Sequence, residues 1–135
     1  MQNRLAPYFP GLDLSKIRIF EGIPGYVVGN PGAYTEGNNI YFAMGEYDPY
    51  SVGGLADIGH ELTHSQQYRR LGTVRFQSRY LAEYFKLRDL GLGHNDAYLS
   101  ISFEVAARKM RGLINKDLSN LMRQVGREGG NPCPR

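Results

Sequence analysis

The chain has 135 residues, of which 41% are hydrophobic and 21% charged, and its formal net charge is +3. That size and balance suit one folded domain and are too apolar for a disordered chain. No apolar run approaches the ~20 residues of a membrane span, and the basic residues form no clustered stripe of the kind nucleic acid requires.

A single domain over residues 1–135 is expected, with a core from about 12 to 125 and a flexible tail at 126–135. The N-terminus, Met1 to Pro7, has no signal-peptide core, which points to the cytoplasm or to export without an N-terminal signal. The one cysteine, Cys133, can form no internal disulfide.

Residues 1–12, with Pro7, Pro10 and Gly11, read as an irregular lead-in. Leu14 to Phe20 alternates apolar and basic residues as a half-buried strand does. Glu21 to Gly25 is a turn, Tyr26-Val27-Val28 a short second strand, and Ala33 to Glu36 a weak strand. Gly37-Asn38-Asn39 turns the chain into a third strand, Ile40 to Met44. A small, mostly antiparallel sheet of three or four strands follows from this pattern.

Ser51 can cap a helix running from Val52 to Arg70, which Gly72 would end. Gly59 inside it would admit a close neighbour, with the sheet the expected one. Thr73 would cap a second helix over 74–90, whose Phe76, Tyr80, Leu81, Tyr84, Phe85 and Leu87 form a largely aromatic face suited to a core. Gly91 to Asp96 reads as a loop. A third helix fits Tyr98–Leu113, and a short fourth fits Asn115–Gln124. The fold class is therefore α+β: a sheet, then three or four helices.

The first of these helices carries His60-Glu61-Leu62-Thr63-His64. Residues four apart stand on one helical face, so both imidazoles can reach one metal ion. Glu61 is rotated by about 100° from His60 and can reach a water on that ion without ligating it. This is the zinc-peptidase pattern, with two His ligands and a Glu that takes a proton from metal-bound water. Asp57 falls on the same polar face, while Leu55, Ile58 and Leu62 fall opposite and would anchor the helix to a core. The bland alternative is a surface helix with two solvated histidines.

A catalytic zinc site takes a third protein ligand and leaves one position open. Gln66 to Leu71 contain no further His or Asp, so the ligand must come from elsewhere. Glu83, His94, Asp96 and Glu104 are the candidates. Glu83 reads as solvated and Asp96 as a loop or cap residue, while His94 and Tyr98 suit the lining of a cleft. Glu104 has apolar flanks, and a carboxylate buried among them needs a partner such as a metal.

Four blocks carry a resemblance: Leu14 to Ile19, Gly37 to Phe42, Gly59 to Gln67 and Phe103 to Ala107. In content and order they resemble the small bacterial metallopeptidase-like domain DUF4157, which is similar to minimal gluzincins. The resemblance spans about residues 12–112. It implies a zincin-like fold with a Zn²⁺ site between the His60–His64 helix and a later helix. The ligands would be His60, His64 and Glu104, and Glu61 would be the general base.

Arg108 departs from the pattern, because an acidic residue often stands there to steady a ligand histidine. Asp57 or a backbone carbonyl is the candidate to replace it, and Tyr98 and His94 are candidates for holding the oxyanion. The expected partner is a peptide or protein substrate, pairing with the sheet along Ile40–Ala43. The oligomeric state is unknown from sequence. Similar domains also occur in secreted or toxin-associated systems, so a zinc-binding structural or docking module with little turnover is the alternative.

Overall fold

The molecule is organised around one long helix. In the computed structural model, which describes residues 2–129, this helix is α2, Val52–Leu71. Ser51 caps it by accepting the Gly54 N–H at 2.9 Å, and Gly72, at φ 80°, ends it. Both ends agree with the sequence. α2 is buried on both its apolar face (Leu55, Ile58, Leu62) and its polar one (Glu61, His64).

Before α2, a short helix α1 (Gln2–Leu5) and a 3₁₀ turn at Ala6–Tyr8 replace the irregular lead-in. Leu5 and Phe9 are fully buried, so the apolar core begins well before residue 12. Leu14–Lys16 is another 3₁₀ turn rather than strand, because Asp13 accepts the Ser15 N–H and caps it.

The sheet has three strands: β1 (Arg18–Glu21), β2 (Ala33–Glu36) and β3 (Asn39–Phe42). Its order is β1-β3-β2. β2 and β3 form the expected antiparallel pair, but β1 runs parallel to β3 with Arg18 opposite Asn39. The sheet is mixed rather than mostly antiparallel. Tyr26–Val28 forms no strand. β3 is central, so the Ile40–Ala43 edge expected to receive a peptide does not exist. The edge beside α2 is β2.

After α2 come α3 (Thr73–Asp89), α4 (His94–Ser100) and α5 (Ser102–Gly129). The boundaries differ from expectation. The predicted loop at 91–96 already enters α4, and the two C-terminal helices are one continuous α5. The break between α4 and α5 falls at Ile101, which is extended and fully buried. Glu83 of α3 makes that break. Its carboxylate accepts the Ser102 N–H at 2.9 Å and the Ser102 hydroxyl at 2.8 Å, so it caps α5 rather than standing in solvent. Thr73 begins α3 without capping it.

The core joins Leu5 and Phe9 to Ile40 and Phe42 of β3, Leu55, Ile58 and Leu62 of α2, and Ile114 and Leu118 of α5. α2 and α5 pack closely where Gly59 lies under Ile114. A Cβ on Gly59 would stand 2.3 Å from the Ile114 Cδ1, so the close neighbour is α5 and not the sheet. Among the described residues no helix is long and apolar enough to cross a membrane. Residues 130–135, with Cys133 and most of the expected tail, lie outside the described residues; 126–129 are helical.

Candidate metal centre

α2 and α5 bring three side chains to one point. His60 and His64 stand one turn apart on α2, and Glu104 lies in the first turn of α5. The His60 Nε2 is 3.3 Å from Glu104 Oε2, and the His64 Nε2 is 3.1 Å from Glu104 Oε1. One donor atom from each residue falls within 4.8 Å of the others, and the three could hold a metal ion. The fit is close. Ligand atoms about 2.1 Å from a tetrahedral ion lie about 3.4 Å from one another, which is inside the 4.8 Å that bounds this set. Sequence placed Glu104 at this point correctly.

The hydrogen bonds behind the ligands settle which nitrogen of His64 faces the cluster. The Gln67 amide NH₂ donates to the Phe103 carbonyl at 3.1 Å. A carbonyl only accepts, so the Gln67 Oε1 is turned toward the His64 Nδ1, 2.9 Å away. His64 Nδ1 must then carry a proton, so in the neutral ring Nε2 is the nitrogen whose lone pair could reach a cation.

His60 has no such support. Its Nδ1 is buried without a partner among the described residues. Asp57 does not supply one, because it lies exposed with Arg111 at 3.9 Å. Arg108 donates instead to the carbonyl of Leu99.

The electrostatics of the metal-free cluster follow from this geometry. Burial disfavours the Glu104 carboxylate, but the hydrogen bonds and charges of His60 and His64 outweigh it and hold its pKa well below the usual range. Burial likewise opposes charge on His64, but its hydrogen bond to Glu104 and that carboxylate's charge win, and its pKa is raised.

Glu61 differs. It is 7% exposed and its carboxyl is raised, above all by burial, against the opposing pull of the two histidines. Thr35 of β2 donates to its Oε2 at 3.0 Å.

Tyr80 of α3 donates to Glu104 Oε1 at 3.0 Å. Burial and the Glu104 charge raise both Tyr80 and Tyr98, so both phenols stay protonated. Tyr98 borders the cluster, and His94 lines a neighbouring cavity of about 630 Å³ with its Nδ1 2.6 Å from the Tyr84 hydroxyl.

Three of these contributors were missed by sequence. Thr35 sits in a strand that reads as weak, and Tyr80 belongs to an aromatic face that reads as core. That face is core only at Phe76; Leu81 and Phe85 are exposed. Gln67 left a trace, since it closes the most specific block of the motif.

No curated protein matches the chain, and no solved structure does. A family model does match, over residues 1–72. That segment holds three of the four blocks behind the metallopeptidase resemblance, including His60, Glu61 and His64; the fourth, with Glu104, lies beyond it. The match takes in more than half of the chain, and the protein belongs to the eCIS core domain family.

Proposed function

We propose that this chain is a zinc-dependent metallopeptidase of the gluzincin-like kind, with His60, His64 and Glu104 as ligands and Glu61 as general base. Glu61 carries the reading. It is a buried carboxyl, one residue from a ligand, borders the same cavities as the cluster, and takes no part in the contacts among the three ligand groups. A purely structural metal site needs no such group.

Two imidazoles and one carboxylate are a catalytic zinc set, with one coordination position left over. Zinc bound there supplies Lewis acidity toward a water and a peptide carbonyl. The protein's own groups do the rest. Thr35 holds the Glu61 Oε2, leaving Oε1 to take the proton of the attacking water and return it to the leaving amine. Burial makes Glu61 a stronger base than a solvated glutamate. Tyr98, kept protonated, is the donor we assign to the developing oxyanion. His94 lies farther along the cavity wall, tied to Tyr84. A peptide substrate would lie along β2, the edge strand next to the cluster, by strand addition.

The test is hydrolysis of denatured casein by zinc-loaded protein, with and without chelator, beside Glu61→Gln. Chelator-sensitive cleavage is expected. In Glu61→Gln it falls by about 10²–10⁴-fold with zinc content unchanged. Cleavage by Glu61→Gln at the wild-type rate would refute the mechanism.

One observation favours a second reading. The cluster sits in the seam between α2 and α5, so a metal there ties two core helices together. A zinc-stapled docking module would unfold on chelation and cut nothing.

A further inference from the structure

Two cavities meet at the metal cluster, and they differ in chemistry. They share Val28, Pro31, Ala33, Glu61, Tyr98 and Glu104, so they are the two halves of one groove. Both have the size of ordinary ligand sites.

One half, of about 420 Å³, is walled by Tyr26, Tyr34, Tyr68, Phe76 and Leu81. Apart from the site's own Glu61, His64 and Glu104, no charged side chain lines it. The other half, of about 630 Å³, is walled on its α5 side by Arg108 and Arg111. These stand four and seven residues after Glu104, hence on the same helical face.

The two guanidinium groups are poorly matched by the protein. Arg111 has only Asp57, at 3.9 Å and largely in solvent. Arg108 has no carboxylate within 4.0 Å among the described residues, and its one hydrogen bond goes to the Leu99 carbonyl. Glu46 also lines this half, but it is exposed and pairs with neither arginine. Guanidinium is suited to recognising a carboxylate.

We infer that the substrate is a peptide bearing a bulky apolar or aromatic side chain on one side of the scissile bond and a carboxylate on the other, the latter held by Arg108 and Arg111. The inference rests on the peptidase reading of the groove. It makes Arg108, where the motif departs from its relatives, a residue that binds substrate. The simpler role for Arg108 is to close the last turn of α4 through Leu99. That role does not distinguish a glutamate from a glutamine in a peptide.

The test uses quenched fluorogenic peptides centred on Phe-Glu and Glu-Phe, with Ala replacing Phe and Gln replacing Glu. Binding is read by anisotropy on zinc-loaded Glu61→Gln, and cleavage on the wild type. Each replacement is expected to weaken binding about tenfold. Adding Arg108→Gln, alone or with Arg111→Gln, should bring the Glu-over-Gln ratio close to one, while zinc content and the Phe-over-Ala ratio stay unchanged.

A wild-type groove indifferent to Glu against Gln, or a preference that survives both arginine changes, would overturn the inference even if peptides are cut. Indifference to Phe against Ala would overturn its apolar half. Selective binding with no cleavage by the wild type would sink the peptidase reading and leave the groove's selectivity in place.

Discussion

Gln67 can face only one way. Its NH₂ meets a carbonyl that cannot donate, so its oxygen fixes the proton on His64. Removing it leaves both ligand nitrogens in place but frees the ring to turn. Gln67→Ala is therefore expected to lower zinc affinity by about 10–100-fold without unfolding the protein, as measured by competition with a chromophoric chelator. An unchanged affinity would show that the bond is incidental.

The same cluster sets a pH dependence. In the metal-free protein His64 has a raised pKa, so its charged form stabilises the fold below the ordinary value of 6.5, and that stabilisation is lost as pH rises through the higher folded value. Glu104, depressed, stabilises the fold above its ordinary 4.5 and loses this as pH falls through its lower folded value. Zinc requires neutral imidazoles. Its affinity should then fall as pH drops from about 8 toward 5, so the melting-temperature gain on adding zinc shrinks on acidification. A gain independent of pH over that range would exclude His64 as a ligand.

His60, Glu61 and His64 were legible because their spacing is local and the helix supplies the geometry. Thr35 and Tyr80 were not, since each reaches its partner from 26 and 24 residues away in sequence.

At the scale of elements, two glycines let α2 fit its neighbours. A Cβ on Gly54 would lie 1.8 Å from the Asp48 carbonyl oxygen, which is backbone and cannot move aside. Gly54→Ala should cost on the order of 2 kcal/mol or more by thermal or denaturant unfolding. At Gly59 the obstacle is the tip of a flexible Ile114, so Gly59→Ala should cost less, and shortening Ile114 to Val should recover part of it. Equal costs at both sites would contradict this packing.

Glu83→Ala should remove about 1 kcal/mol by uncapping α5, and it should also weaken zinc binding, because Glu104 stands in the turn that Glu83 holds. The helix α2 was read almost to the residue, since Ser51 and Gly72 are local signals. The α4–α5 break was not, because its cause is a carboxylate on another helix. The parallel pairing of β1 with β3 escaped for a similar reason: alternation marks a strand but does not choose its neighbour.

For the whole molecule, the candidate metal cluster joins the segment that matches the family to α5, the last helix of the described residues. Residues 1–72 contain both histidines and Glu61, while Glu104 comes from α5. α5 already packs on α2 through Ile114 and Leu118, and a metal held by the cluster would add to that packing: zinc at a hundred times its Kd should stabilise the folded chain by about 2.7 kcal/mol.

The most direct test is the zinc content and affinity of purified protein beside His60→Ala and Glu104→Ala. One equivalent bound by the wild type, with affinity lost in His60→Ala and strongly reduced in Glu104→Ala while both remain folded, is the expected result. A wild type that takes up no zinc, or a Glu104→Ala protein that binds it as tightly as before, would contradict the three-residue centre.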